Sequence, residues 1–417
     1  PYEHHWQPGM PYDKIYTGWT YPPKDYKKWA ALVSEWVKHS VARYGKTEVE
    51  SWYWELWNEP NIGYWSGTVQ EYCKLYDYTV DAAKKVLPTI KIGGPETTGP
   101  GWNKAGDFLK TFLKHCVSDT NYVTGKIGTP LDFISFHAKG SPKIVDNYVQ
   151  MNMGTQLRDI AEGFKIVSSF PTLKNLPIII GESDPEGCAA CGMKTNPQNG
   201  YRNGTMYSSY TAASFARKYA LADFYKVNLL GAVSWSFEFE NQPYFYGFRD
   251  LATNGIDKPV LNVFRMFGMM TGKRVEIKGN QSYTFEMVRD SSVRGKNADI
   301  DAIASKDVHS ASVMLWHYHD DDLPAPDALI DVKLKGFTAK NINFHHYRID
   351  KENSNSYEVW KKMGSPQNPT QEQIIALEKA GQLTLLTSPS YVKTTNGELK
   401  LKIQLPRQGV SLLKFDW

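Results

Sequence analysis

The stretch Val49-Glu50-Ser51-Trp52-Tyr53-Trp54-Glu55-Leu56 runs into Trp57-Asn58-Glu59-Pro60, and a loop, Asn61-Ile62-Gly63-Tyr64-Trp65, follows. The apolar, aromatic run from Val49 to Leu56 reads as a strand. Glu59 then stands at the C-terminal tip of that strand, beside the amide of Asn58. Far downstream, Leu176-Pro177-Ile178-Ile179-Ile180-Gly181 is a second apolar run, and it ends in Glu182. In a (β/α)8 barrel the chemistry sits at this end of the strands. Two glutamates on two strand tips suit glycoside hydrolysis, in which one protonates the leaving oxygen and the other attacks the sugar.

The segments between and around these runs alternate. Lys24 to Arg43 has helical periodicity, with Trp29, Leu32, Val33, Trp36, Val37 and Val41 expected on one face and Gly45 as the stop. Helices are expected over residues 68–86, 108–116, 149–168, 208–226 and 258–270. Strands are expected near residues 50, 90, 133, 179 and 232. Apolar strands alternating with helices predict a parallel sheet flanked by helices. Five βα units do not close an eight-stranded barrel. Either this is not an eight-stranded barrel, or its first three strands belong to sequence absent from this stretch; the favoured reading is the second, an α/β, (β/α)8 TIM barrel, with the first 23 residues forming an irregular loop.

The pattern changes after about residue 271. Strand-like runs then come without long helices: residues 313–319, 330–334, 342–348, 383–386, 399–405 and 410–415. They predict an antiparallel β-sandwich. The expected division is therefore a catalytic barrel domain over residues 1–270 and a β-sandwich accessory domain over 271–417. One helix is expected inside the sandwich, with Thr370-Gln371-Glu372-Gln373 as its capping box and Gly381 as its stop.

Charge is nearly balanced over the 417 residues, 48 basic against 44 acidic, which argues against a nucleic-acid partner or a membrane surface. No apolar run reaches the length of a membrane span. Aromatic residues make up 13% of the chain, with 13 Trp and 25 Tyr, and flat rings suit the apolar faces of sugars. The expected partner is an oligosaccharide or a polysaccharide-derived substrate. Four cysteines in so long a chain do not make a disulfide scaffold. Cys73 and Cys116 read as buried thiols. Cys188 and Cys191 read as a local disulfide or two free thiols shaping the loop after Glu182. Asp320-Asp321-Asp322 and His345-His346 read as solvated clusters. The chemistry needs no metal and no organic cofactor.

Other candidates cluster at the strand ends. Asn58 is placed to bond a sugar hydroxyl. His137 ends a strand, and Lys139 follows two residues later, so both are expected to face one cleft. Trp235 ends the last strand as a floor for the sugar, and Glu238 is an acceptor for hydroxyls. Gly181 allows close backbone approach before Glu182.

With these residues in hand, the chain resembles glycoside hydrolase family 39. The resemblance runs through Trp29, Arg43-Tyr44-Gly45, Trp57-Asn58-Glu59-Pro60-Asn61, Gly93-Gly94-Pro95 and Ile134-Ser135-Phe136-His137. It continues through Gly255-Ile256-Asp257-Lys258-Pro259, residues 360–366 and residues 405–413. It implies a retaining mechanism with Glu59 as general acid/base and Glu182 as nucleophile, on strands four and seven of the barrel. In a retaining enzyme the two carboxyls lie ~5–5.5 Å apart.

The family includes β-xylosidases and α-L-iduronidases. The chain resembles the iduronidases in His137-Ala138-Lys139-Gly140, in Glu182-Ser183-Asp184-Pro185, and in Arg249 nine residues before Lys258. That resemblance implies that Lys139, Arg249 and Gly187 contact a sugar carboxylate, with Asp184 in the same shell. Two cations meeting a carboxylate make strong charge-assisted hydrogen bonds. A xylose would leave them unpaired. The first expectation is thus an exo-acting uronidase, of α-L-iduronide or β-D-glucuronide type. A β-xylosidase or other neutral-sugar exo-glycosidase is the alternative, and a non-catalytic carbohydrate-binding protein is the alternative of another class. A secreted, periplasmic or otherwise extracytoplasmic location is expected. If instead Lys139 and Arg249 pair with Asp184, Glu186 or Glu238, they merely hold loops.

Overall fold

A computed structural model describes residues 20–280 and 282–417. The expected irregular loop over the first 23 residues lies almost wholly outside them. By contacts the chain divides into two compact units that interleave in sequence. One comprises the described residues up to Ala138 with Asp159–Glu182 and Ala222–Val233. The other comprises Lys139–Arg158, Ser183–Leu221 and Ser234–Trp417. The change of pattern near residue 271 is visible, since the last helix of the alternating part ends at Gly268 and a strand begins at Lys273. The compact units nevertheless do not divide there.

The first unit carries a five-stranded parallel sheet: β1 (Tyr53–Glu55), β2 (Lys91–Thr97), β3 (Phe133–Phe136), β4 (Pro177–Ile180) and β5 (Asn228–Ala232). Its spatial order is its sequence order. All five expected strands are present. The described residues do not close them into a barrel, and β1 and β5 stand at the edges of the sheet. Strand β1 is shorter than the eight residues expected. Lys46–Ser51 coil into a short helix instead, because the Val49 N–H bonds back to the Gly45 carbonyl at 3.2 Å.

Helix α1 (Tyr26–Tyr44) is capped by Asp25, whose carboxylate accepts from the Lys27 and Lys28 N–H groups at 2.8 and 3.1 Å. Its inward line is Val33, Val37 and Ser40. Trp29 docks onto α2 (Val69–Val86) through a 2.8 Å bond from its indole N–H to Thr79. Leu32 and Trp36, expected to be buried, are 62% and 61% exposed. They lie on the flank of the helix, where the described residues offer little to cover them. Thr68 and Glu71 form a reciprocal capping box that starts α2. Tyr72, Tyr76, Leu109, Phe112 and Ile134 are fully buried in this unit's core.

In the second unit the antiparallel part follows the sequence closely. Strands β6 (Asp299–Lys306), β7 (Ser310–Tyr318), β9 (Asn341–Ile349) and β11 (Val410–Asp416) share one sheet. Strands β8 (Ala328–Lys335) and β10 (Glu398–Leu405) pair separately over eight residues each. Alternating side chains from both ladders, among them Val313, Leu315, Ile342, Leu399, Ile403 and Phe415, bury a shared apolar core. The expected helix is present at Gln371–Gly381 with the Thr370–Gln373 capping box. Two expectations fail here. Asp320 is fully buried, bonded by the Tyr318 hydroxyl at 2.8 Å, and His346 is buried against Ser411 at 3.0 Å. His346 lies within β9 and Asp320 just past the end of β7, and a reading by polarity alone misses the burial of both.

Candidate active site

Parallel pairing continues past the strand ends, and this sets the site in the first unit. The Leu56 N–H bonds the Gly93 carbonyl, and the Glu59 N–H bonds the Glu96 carbonyl at 2.9 Å. The His137 N–H bonds the Thr97 carbonyl at 2.7 Å, the Gly181 N–H bonds Phe136, and the Ala138 N–H bonds the Glu182 carbonyl at 2.9 Å. One ladder of peptide bonds therefore aligns Glu59, Glu96, His137 and Glu182 at the C-terminal ends of β1 to β4. Trp57, Glu59 and Glu96 all have positive φ, 72°, 46° and 51°. Non-glycine residues held in that region concentrate at functional sites. Beyond Pro60, the Asn61 amide bonds Thr98 through both its oxygen and its nitrogen, at 2.9 and 2.7 Å. This ties the Glu59 loop to the end of β2.

The His137 ring lies between two carboxylates. Its Nδ1 is 2.8 Å from Glu59 Oε1, and its Nε2 is 2.7 Å from Glu96 Oε1. Burial alone would lower the pKa of this imidazole. The bonds to Glu59 and Glu96, with the nearby Glu182 charge, outweigh burial and raise it to about 9. His137 is thus an imidazolium at neutral pH. Glu96 is buried, which by itself would raise its carboxyl, but the His137 contact holds it ionised. Any side chain at position 181 would collide with the Glu96 carboxylate, so Gly181 has its reason. Glu55 lies within hydrogen-bonding reach of Glu96. Crowding by protein and the Glu96 charge push its carboxyl up, a shift that solvent on its exposed side moderates.

Charge is arranged differently in the second unit. Asp184 is 1% exposed and gathers four partners: Lys139 Nζ at 2.9 Å, Arg249 Nε at 3.4 Å, the Ser234 hydroxyl at 2.5 Å and the Tyr207 hydroxyl at 3.4 Å. Burial would raise the Asp184 carboxyl, but the Lys139 and Arg249 charges and the Ser234 hydroxyl hold it below the usual range. Arg249 also donates to the carbonyls of Trp235 at 2.7 Å, Gly187 at 3.2 Å and Glu186. Fully buried Arg202 pairs with the Glu186 carboxylate and donates to the Cys188, Ala189 and Cys191 carbonyls. Cys188 and Cys191 form a disulfide. The loop over residues 186–191 is therefore crosslinked and gripped by two guanidinium groups.

Several candidates thus change standing. His137, expected to meet the sugar, is 1% exposed with both ring nitrogens engaged by carboxylates. Asp184 turns inward as the counter-charge of Lys139 and Arg249. Glu238 accepts from the Gly255 N–H at 2.7 Å and fixes a loop. Asn58 and Trp235 are exposed, and Glu59 and Glu182 are half-buried. Glu96 and Glu55 escaped the sequence reading. The rule that found Glu182, an acid ending an apolar run, also applies to Ile92-Gly93-Gly94-Pro95-Glu96, where the glycine pair and proline obscured it.

Carboxylates at the C-terminal ends of parallel strands lie where a barrel enzyme has its chemistry, and glycoside hydrolysis uses a pair of them. Residues 6–394 match Glycosyl hydrolases family 39, and the chain belongs to that family. It is a glycoside hydrolase of a family that works with retention of configuration, on a TIM-barrel frame with a β-sandwich. A beta-xylosidase of Caldicellulosiruptor saccharolyticus is 31% identical over 382 residues, covering 88% of this chain and 69% of that protein. An alpha-L-iduronidase of Mus musculus is 26% identical over 373 residues, covering 83% and 55%. In fold, the chain is similar to the crystal structure of a monomeric beta-xylosidase from Caulobacter crescentus CB15 (TM-score 0.73, 20% identity, 95% of this chain and 76% of that one). It is also similar to a bacterial orthologue of human α-L-iduronidase (TM-score 0.76, 19% identity, 94% and 66%).

Proposed function

We propose that this chain hydrolyses a terminal neutral pyranoside, of β-D-xyloside type, by double displacement. Glu182 attacks the anomeric carbon, the bond to the aglycone oxygen breaks, and that oxygen takes the proton of Glu59. Water then attacks the same carbon and gives its proton to Glu59, and the bond to Glu182 breaks. The register that aligns Glu59 and Glu182 on the same edge of one sheet supports this pair. One observation carries the neutral sugar: Asp184 already pairs with both Lys139 and Arg249. The argument that a xyloside would leave these cations unpaired therefore loses its force.

A uronide is the second reading. Two cations around one carboxylate leave a positive charge, and Lys139 keeps 16% of its side chain exposed. The alpha-L-iduronidase relative supports the same direction. A chromogenic panel of β-D-xyloside, α-L-arabinopyranoside, β-D-glucuronide and α-L-iduronide separates the two. Turnover of the xyloside, with the β-anomer of xylose released first by NMR, is the expected result. Turnover of a uronide alone overturns it and assigns Lys139 and Arg249 to the substrate carboxylate. We further place the protein in an oxidising, extracytoplasmic compartment, on the strength of the Cys188–Cys191 disulfide. Free thiols at both positions in protein extracted under alkylating conditions would overturn that placement.

A further inference from the structure

We propose that Glu96 is a positioning residue that makes His137 and Glu59 a single proton-holding unit, so that the acid of the reaction is the His137–Glu59 pair. The proposal rests on the reading of Glu59 as acid/base. Four observations carry it. His137 bridges Glu59 and Glu96 by bonds of 2.8 and 2.7 Å through its two nitrogens. The imidazole is 1% exposed and Glu96 3%, so water does not compete for these bonds. Glu96 is held with φ 51° and would be displaced by any side chain at 181, so the fold keeps a carboxylate there against local preference. Glu96 Oε2 is buried, and the groups within reach of the Glu96 carboxylate besides His137 are the Ser135 hydroxyl and Glu55.

A buried imidazole with a carboxylate on one nitrogen is fixed in orientation and favours the doubly protonated form. Its other N–H then points at Glu59. Moving that proton along the existing 2.8 Å bond converts imidazolium and carboxylate into imidazole and carboxylic acid, without loss to solvent. The carboxylic acid form of Glu59 is the one that protonates the aglycone oxygen. In the second step the proton taken from water restores the pair. The groups that face His137 are Glu59 beyond β1, Glu55 on β1, Glu96 on β2 and Glu182 beyond β4. All four are acidic, so the pair keeps its proton to high pH, and Glu96 is the member that contacts the ring from behind.

The test is Glu96→Gln, which keeps the shape and the acceptor oxygen but removes the charge. Histidine Cε1–H resonances of the whole chain, labelled at histidine, are followed against pH. The wild-type His137 signal is expected to titrate near 9. In E96Q its midpoint is expected to fall by about 1–3 units, and the alkaline limb of kcat/KM to fall with it. A wild-type His137 that titrates near its ordinary value, or one that E96Q leaves unmoved, overturns the proposal. A His137 midpoint that moves while the kcat/KM limb does not leaves the Glu96–His137 link standing and overturns the pair as the acid, whereas equal losses of Glu59→Gln on good and poor leaving groups overturn the reading of Glu59. Gly181→Ala is expected to reproduce the E96Q shift by displacing Glu96. The double variant Gly181→Ala/Glu96→Ala is expected to fold as the parent does, because the new methyl occupies the vacated space.

Discussion

The strand-tip cluster of the first unit and the Asp184 cluster of the second use the same kinds of group in opposite balance. Around His137 the acids outnumber the bases, with Glu55, Glu59, Glu96 and Glu182 facing one imidazolium. Around Asp184 the bases outnumber the acids, and hydroxyls and carbonyls complete every bond. Surplus like charge keeps protons mobile and groups reactive. A carboxylate surrounded by its counter-charges is a fixed joint, costly to break and inert in itself. The difference separates chemistry from scaffolding where residue type alone does not.

The largest effect should come from Glu182, the proposed nucleophile. Glu182→Gln is expected to abolish measurable turnover of an aryl xyloside while leaving the melting temperature within a degree or two, and residual activity near wild type would move the nucleophile elsewhere. Glu59→Gln is expected to lower kcat for a poor leaving group by about 10²–10⁴-fold. An activated aryl leaving group should restore much of this loss, and equal losses on both substrates would break the assignment. Asp184→Ala tests the other pole. It strands two buried or half-buried cations and is expected to destabilise the protein by about 3–5 kcal/mol, read by urea unfolding. A fully stable variant would mean that Lys139 and Arg249 do not depend on Asp184.

A smaller effect follows from pH. The His137 pKa is raised in the folded state, so its stabilising contribution is complete below about 6.5 and lost as pH rises through about 9. Unfolding free energy should therefore fall between pH 6.5 and 9, and His137→Gln should flatten that slope. Glu238→Gln keeps the acceptor for Gly255 and should change stability by less than about 0.5 kcal/mol.

Most of the architecture was legible because apolar period and length speak directly to it. All five expected parallel strands and the expected sandwich runs are present, but β1 is shorter than expected and β6 (Asp299–Lys306) was not read from the sequence. The ends of elements were less legible. Residues 46–51 coil because of a bond to Gly45 that no side-chain pattern announces. Glu59 and Glu182 were legible as acids ending apolar runs. The roles of His137 and Asp184 were not, since burial and partner choice depend on strands remote in sequence. Glu96 was missed although the same rule picks it out, because Gly93-Gly94-Pro95 reads as the start of a turn rather than as a strand continuing to Thr97.

The loop over residues 186–191 has a consequence for how this enzyme can change over generations. Its carbonyls are spent on Arg202 and Arg249, and its two cysteines are joined. Substitutions there act on a path with one course to follow, so most will be rejected or neutral. New substrate preferences are expected to arise instead from exposed positions such as Asn58 and Trp235, where a side chain can be exchanged without reopening a buried network.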